Sequence, residues 1–260
     1  AMNIGVGYST LTALTTGSQN TALGYQTLRA NTTGTSNTAV GYGALALNTA
    51  GNNNVAVGNS SLPANTTGAA NVGVGYNALS ANTTGVTNIA MGQSSLFSNT
   101  TGMRNIGIGH NALFSTSTGL GNIGVGYLSL YDLKTGPSTG FNVAIGYNTG
   151  RGIITGVNNT ILGSNVIGLP ATLSNNIIIA DGSGNRRINV SESGNTGIGV
   201  TSPTTSLEVA TSTRNATTTV VIGKTGQKKG SCLVLYDAVG TEQYVTVQGG
   251  ALVVSSESCR

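Results

Sequence analysis

The chain has 260 residues and a net charge of +4, but only 7% of its residues are charged; it has 40 glycines and no tryptophan. So few large apolar side chains argue against one globular core. The bases are scattered apart from Arg186-Arg187 and a cluster at 224–229, so no nucleic-acid partner is expected. No apolar run reaches the ~20 residues needed to span a bilayer, so no membrane insertion is expected either.

A 17-residue repeat starts at once and runs through the first two thirds of the chain. We number its places 1 to 17 from a leading asparagine, which recurs at Asn3, Asn20, Asn37, Asn54, Asn71, Asn88, Asn105 and Asn122. A fixed period with constant turn residues predicts stacked structural units, that is, a solenoid. An uncovered first coil would expose a strand edge, so we expect an upstream segment or another subunit to cover it.

Within the copy at 71–87, NVGVGYNALSANTTGVT, large aliphatic residues at places 2 and 4 alternate with Gly or Ala at places 3 and 5. This period of two predicts a short strand with one apolar and one very small face. The Asn-Thr-Thr-Gly group at places 12 to 15 predicts a turn. The segment between them, 76–81, fits either a second strand or a single helical turn. We expect the residues at places 4 and 9 to form the repeat core: Val40, Val57, Val74, Met91, Ile108, Val125 and Ile145, with Leu45, Leu62, Leu79, Leu96 and Leu113.

Asparagines at one place in successive coils are expected to stack, with side-chain amides hydrogen-bonded along the column. The predicted ladder contains Asn37, Asn54, Asn71, Asn88, Asn105 and Asn122. Asn-x-Thr/Ser triplets also match the glycosylation acceptor pattern, at Asn31, Asn65, Asn82, Asn99 and Asn215. The turn chemistry of the repeat generates most of these triplets, so we favour the structural role.

The register slips once, because the next copy begins at Asn142, which is 20 residues after Asn122. Three extra residues predict a bulging loop near Pro137. Weaker copies follow at Asn159 and Asn176, and 181–185 predicts a hairpin turn that leads into a strand at 187–190. We therefore divide the chain into a β-solenoid at 1–174, its closure and a linker at 175–210, and a small C-terminal β domain at 211–260.

The C-terminal domain is predicted to have four or five strands, because β-branched runs at 217–222, 232–236 and 243–247 alternate with glycine turns. Both cysteines of the chain, Cys232 and Cys259, lie here. Two cysteines are too few for a metal site alone, so we favour a disulfide over a pair of buried free thiols. It would stabilise the domain by about 2 to 4 kcal/mol and imply an oxidising compartment.

Catalytic chemistry finds little support. The only histidine, His110, stands at place 6, where other copies have tyrosine, which favours membership of a structural column. No Ser-His-Asp set, carboxylate pair or phosphate loop can be assembled, and the short Gly-x-Gly matches come from the repeat. We expect no enzyme activity, no cofactor and no metal site.

The Asn-Thr-Ala-Val-Gly-Tyr core at 37–42 resembles the head repeats of trimeric autotransporter adhesins, and more closely the longer repeats of phage tail fibres and bacterial surface fibres. The segment from Gly197 to Val209 is similar to the junction that follows such repeats. The last domain, with 229–233 and 258–260, looks like the ends of surface proteins from uncultured small-celled bacteria. The resemblance implies a parallel β-roll in each of three chains and an extracellular location.

Energetics also favours a homotrimer. One coil offers two or three aliphatic side chains, worth roughly 1.5 to 3 kcal/mol each, against about 1.5 kcal/mol per residue for ordering. The small face at places 3 and 5 suits close approach of another chain, and Val74→Asp is expected to bury a charge and abolish the fibre.

We expect an all-β homotrimeric fibre, with end-to-end polymerisation as a related possibility. Its expected role is multivalent attachment to an unidentified glycan or protein on a cell surface, or filament formation. The alternatives are a tail-fibre segment that binds a host receptor and a monomeric ice- or glycan-binding solenoid. The mark of the last would be a flat threonine register, for which the candidates are Thr32, Thr49, Thr66, Thr83 and Thr100.

Overall fold

The computed structural model describes residues 2–137 and 139–210, together with three strands at 233–236, 242–248 and 251–255. The chain divides into two units, Ala1–Ser212 and Thr213–Arg260. The predicted boundary at 210/211 lies close to this division. The predicted Cys232–Cys259 disulfide, the strand at 217–222 and Asn215 lie outside the described residues.

The first unit is an all-β parallel solenoid, as the repeat predicts. Eleven short strands, one from each coil, pair in parallel with their neighbours in chain order. Each pairing within the regular part joins residues 17 apart, for example Val72 with Ile89. The strands are β1 Ile4–Val6, β2 Thr21–Leu23, β3 Thr38–Val40, β4 Val55–Val57, β5 Val72–Val74, β6 Ile89–Met91, β7 Ile106–Ile108, β8 Ile123–Val125, β9 Val143–Ile145, β10 Thr160–Leu162 and β11 Ile177–Ala180.

The rest of each coil is made of turns, so the segment at 76–81 is neither a second strand nor a helical turn. Asn77 and Leu79 have φ of 55° and 53°, and Thr87 at place 17 has φ of 58°. A left-handed conformation costs an L-residue about 1 to 2 kcal/mol. Full burial of a leucine offsets this by roughly 1.5 to 3 kcal/mol. The left-handed turns are therefore tolerated because they direct the place-9 leucine side chain into the interior of the coil.

The interior is filled by the leucines of place 9 and by small residues. The predicted core leucines are all fully buried: Leu45, Leu62, Leu79, Leu96 and Leu113. Residues at place 3, such as Ala39 and Ala90, are also fully buried. A Cβ added at Gly73 would lie 2.6 Å from Ser61 Oγ, so this position has no room for a larger side chain.

The prediction that the place-4 residues belong to the core is wrong. Val57, Met91, Ile108 and Ile145 are 37%, 42%, 38% and 45% exposed, and Val40, Val74 and Val125 are only partly buried. Alternation along the strand fixes one face inward, and the leucines leave room there only for Ala or Gly. The aliphatic face of each strand therefore points out of the coil, and Val74→Asp would not place a charge in the interior.

The small face has a different role from the predicted one. Place-5 glycines stack along the chain, and a Cβ added at Gly75, whose φ is 134°, would lie 2.7 Å from the carbonyl carbon of Gly92. The close approach is thus between neighbouring coils of one chain. Beyond the first coil, place 3 is buried within one chain, and the partly exposed place-5 glycines already contact the next coil, which argues against the predicted interface between chains through these places.

The three-residue insertion leaves the stack intact, since β8 pairs with β9 as the other strands do. The closure begins after β11, where β12 Arg186–Val190 pairs antiparallel with it and a bulge interrupts the register at Ile179/Ala180. The predicted hairpin at 181–185 is confirmed. β13 Thr196–Ile198 continues antiparallel, and β14 Leu207–Val209 pairs with it in parallel.

The second unit contains an antiparallel sheet of β15 Leu233–Tyr236, β16 Glu242–Gln248 and β17 Ala251–Ser255. These three are the strands of its described part, against the four or five predicted.

Candidate functional site: the outward sheet face

The outward face of the solenoid carries three columns, from places 2, 4 and 6, and we call it the sheet face. From β1 to β10 its residues are aliphatic, aromatic, Thr, Ser or amide, with His110 the only ionisable group other than tyrosine. The first charged carboxylate in these columns is Asp181, after β11. Large apolar side chains in the columns are widely exposed, among them Leu23 at 48% and Tyr42 at 55%.

Tyrosines of place 6 stack along the sheet face. Tyr25 lies 5.3 Å from Tyr8 and 5.0 Å from Tyr42 between ring centroids. His110 stacks on Tyr127 at 5.2 Å with the rings 14° apart, so it is a member of this column as the sequence indicates. Stacked rings contribute about 0.5 to 1.5 kcal/mol per pair beyond their buried area.

A second aromatic column lies at place 10, which the sequence analysis missed. Phe97, Phe114 and Tyr131 stack at 5.0 Å centroid separations, and the Arg151 guanidinium carbon lies 4.9 Å from the Tyr131 centroid. Arg151 Nε also donates to Asp132 Oδ2 at 2.7 Å. The signal was present as three aromatic residues spaced by 17.

The predicted asparagine ladder is formed inside the coils, and its amides are fully hydrogen-bonded. Asn37 donates from its backbone N (3.0 Å) and its Nδ2 (3.1 Å) to Asn20 Oδ1, and its Nδ2 also donates to Gly51 O at 2.8 Å. The same pattern links all the predicted members, Asn37, Asn54, Asn71, Asn88, Asn105 and Asn122. Asn142 continues it across the insertion.

A parallel ladder at place 12 contains the asparagines of the glycosylation triplets. Asn48 Nδ2 donates to Asn31 Oδ1 at 2.8 Å and to Gly51 O at 3.0 Å, so both ladders meet at the place-15 carbonyl. Asn31, Asn65, Asn82 and Asn99 are fully buried. In the folded solenoid these four amides are therefore inaccessible to glycosylation.

The threonine register at place 13 is partly buried and hydrogen-bonded to the stack. Each hydroxyl of Thr32, Thr49, Thr66, Thr83 and Thr100 donates to the backbone carbonyl one coil ahead, at 3.0 to 3.2 Å. These hydroxyl protons are used within the chain. The exposed threonines of the turn are instead those of place 14, such as Thr84.

Charged groups become more frequent from the eighth coil onward and continue into the closing end of the unit. Burial raises the pKa of Asp132, but the hydrogen bond and charge of Arg151, the Gly152 N–H and the charge of Lys134 together hold this pKa below its usual value. Hydrogen bonds from Asn185, then from Arg187 and from the N–H groups of Asn185 and Ser183, lower the pKa of Asp181 to about 2 against a smaller effect of desolvation. Among the residues that the structure describes, no three His, Cys, Asp or Glu side chains cluster as ligands for a metal ion.

Comparison with protein-family models, with curated proteins and with solved structures finds no match to this chain. The class that the fold defines is the parallel β-solenoid repeat proteins. In the described residues, no helix is long and apolar enough to cross a membrane.

Proposed function

We propose that the chain is a structural segment of an extracellular fibre or adhesin, and that copies of it associate through the sheet face. The observation that carries the proposal is the mostly apolar, nearly uncharged surface along β1 to β11, in which exposed aliphatic and aromatic side chains outnumber the Thr, Ser and amide groups. Ten steps of about 4.8 Å make it about 50 Å long, and the width from place 2 to place 6 is about 13 Å. This footprint of roughly 650 Å², which includes some polar side chains, is comparable in size with the largest apolar patch of a typical monomer, and such patches are often functional.

A second copy of the same chain suits this surface because of its spacing. The three columns repeat at the strand separation, so a parallel copy presents side chains at the same interval along the whole length. The footprint approaches the ~800 Å² per partner that stable protein interfaces bury. Nearly absent charge means that identical faces can meet without like-charge repulsion.

Three chains are the stoichiometry that the resemblance to adhesin heads implies, now with the aliphatic face as the interface in place of the small-residue face. Such a rod would display identical surfaces in multiple copies, so weak contacts to a cell-surface glycan or protein would add up. A tail-fibre segment with a host-receptor task shares the same assembly. The proposal therefore concerns assembly and display outside the cell, and end-to-end polymerisation remains part of it as a related arrangement.

The test is the solution mass of the purified chain and of Val74→Asp by light scattering. Val74 is partly exposed in a single chain, so the carboxylate would reach water in the monomer and the coil would stay folded. In the assembly it would be desolvated against another copy, at a cost of several kcal/mol. We expect about three times the 25.9 kDa chain mass for the natural sequence and a folded monomer for the variant.

Thr84→Asp provides the matched control, because Thr84 belongs to the same coil as Val74 but is exposed on its turn, outside the sheet face. It adds the same charge to the same coil and should leave the mass unchanged. A natural chain that is a strict monomer at every concentration would remove the proposal. Equal loss of assembly in both variants would show that net charge, and not the sheet face, controls association.

A further inference from the structure

A polar cleft at the closing end of the solenoid is built by one chain and is separate from the sheet-face interface. Two adjoining cavities, of about 610 Å³ and 350 Å³, share Arg186 and Thr201 in their walls. The larger is lined also by the hairpin residues Gly184 and Asn185. The smaller lies between the last repeat coil and the loop at 201–204.

Arg186 brings an uncompensated positive charge to both cavities. Its side chain is partly buried, and burial lowers its pKa. Within the described residues its guanidinium makes no ion pair, whereas the neighbouring Arg187 donates from Nε to Asp181 Oδ2 at 3.0 Å. A desolvated guanidinium normally has a carboxylate or phosphate partner, and its planar donors suit a two-oxygen anion.

The four acids of residues 2–210 are all engaged elsewhere. Asp132 accepts from Arg151, and Asp181 from Arg187. Glu192 Oε1 accepts from Asn175 Nδ2 at 3.0 Å, and Glu208 Oε2 accepts from the Thr204 backbone N at 2.9 Å. The described part of this unit therefore provides no internal counter-ion for Arg186.

A second, independent feature is an unpartnered amide in the smaller cavity. Asn189 is 3% exposed, and its Oδ1 has no hydrogen-bond partner. Three atoms in the repeat coils, Asn99 Oδ1, His110 Nδ1 and Thr149 Oγ1, are buried without a partner as well. Asn189 is the one of these four residues in the wall of this cleft, where a ligand donor would satisfy it. Ser191, Ser193, Ser202 and Thr204 add hydroxyls, while Pro170, Leu173 and Pro203 add apolar wall.

We propose that this cleft binds a sugar that bears a carboxylate, with the carboxylate on Arg186 and a sugar hydroxyl donating to Asn189 Oδ1. The serine and threonine hydroxyls would bond to further ring substituents, and the proline and leucine walls would contact the C–H face of the ring. A cavity of about 350 Å³ is at the lower end of the range for small-molecule sites, which suits one sugar unit. The cleft requires no second copy, so its binding is independent of fibre assembly.

The test is titration calorimetry of the full chain with glucuronic acid, with glucose as the neutral analogue and inorganic sulfate as an anion without a ring. We expect glucuronic acid to bind, and glucose and sulfate to bind at least about tenfold more weakly. Arg186→Gln should lower the affinity for glucuronic acid by about 10- to 100-fold, since a charge-assisted bidentate contact is lost. Arg29→Gln, which removes an equal charge from an exposed site in a repeat coil, should not change the affinity.

Each other result overturns the assignment. Glucose binding as tightly as glucuronic acid would remove the role of Arg186, and sulfate binding as tightly would reduce the cleft to an anion site. Equal loss of affinity in Arg186→Gln and Arg29→Gln would indicate a nonspecific charge effect. The site would be excluded if glucuronic acid at millimolar concentration produced no heat of binding in calorimetry and no chemical-shift change in an NMR titration of the chain.

Discussion

The repeat coils and the closing end of the same solenoid differ in the asparagine ladder at place 1 and in their content of charged residues. In the coils from Asn20 to Asn122 each amide of the place-1 ladder uses both its donors, and its oxygen accepts twice. At the closing end the ladder stops at Asn176, and Asn189 keeps an unpartnered oxygen. No acid occurs before Asp132, whereas four lie between there and Glu208.

We interpret the repeat coils as the structural part of the solenoid and the closing end as the part that can bind a ligand. Translation by one coil reproduces the partners of the place-1 ladder in the regular part, so these amides are buried without residual cost. Where the strands turn antiparallel after β11, no next coil supplies the partners. Buried atoms without a partner also occur in the coils, at Asn99, His110 and Thr149. However, three of the four acids of residues 2–210 and the unpaired Arg186 guanidinium lie after β11, which is where charged ligand chemistry is available.

The largest expected difference between the two regions is in the cost of replacing a buried asparagine by leucine. Asn88→Leu removes the donors to Asn71 Oδ1 and Gly102 O and the acceptor for Asn105, and each group left unpaired costs about 1 to 3 kcal/mol. We expect a loss of about 3 kcal/mol or more in the free energy of unfolding, measured by denaturant titration. The same change at Asn189, whose Oδ1 has no hydrogen-bond partner, should alter stability by less than about 1 kcal/mol. Equal costs at the two sites would contradict the comparison.

Adding one methyl group tests the contact between coils. Gly75→Ala places a Cβ against the Gly92 backbone at a φ of 134°, so both strain and overlap oppose it, and we expect a loss of about 2 to 4 kcal/mol. Gly43→Ala is the matched control, because Gly43 has φ of 63° and open space around its Cβ. It should cost only about 1 kcal/mol, the price of the left-handed conformation. Similar melting temperatures for the two variants would exclude the close approach of coils.

The smallest expected effect concerns pH at the closing hairpin. The pKa of Asp181 is lowered to about 2 in the folded chain, below the ~3.9 of an unfolded aspartate. The stabilisation is therefore complete above about pH 4 and is lost as the pH falls through about 2. A carboxyl NMR titration of the folded chain should show this midpoint. A midpoint near 3.9 would mean that the Asn185 and Arg187 contacts do not persist in solution.

The sequence predicts the period, the parallel stack, the ladder and the hairpin because each depends on residues that recur at fixed spacing or on local turn chemistry. It predicts the wrong side for Val74 and its equivalents. Period two shows that places 3 and 4 face opposite ways, but it does not show which is inside. That depends on the place-9 leucines such as Leu62, whose left-handed turn directs the side chain inward, so that a Cβ added at Gly73 would lie only 3.2 Å from Leu62 Cδ1.

The closing cleft was not predictable in the same way. Arg186 and Arg187 appear alike in the sequence, and only the bulge after Ile179 separates the paired arginine from the unpaired one. Asn189 looks like another ladder asparagine, yet its strand runs antiparallel and takes it out of the ladder. Both distinctions arise from the end of a repeating structure, where local patterns no longer determine the partners.

The most direct test of the proposed assembly uses the absence of tryptophan from the chain. Tyr76→Trp places a single fluorophore on the sheet face, at a residue that is 51% exposed in one chain, and Thr84→Trp places one on the turn. Quenching of the tryptophan fluorescence by iodide is then compared at protein concentrations above and below the dissociation constant of the assembly. If copies pack through the sheet face, the tryptophan at position 76 is protected at high concentration and quenched on dilution, while the one at 84 is quenched throughout. Equal quenching of both at every concentration would contradict the account.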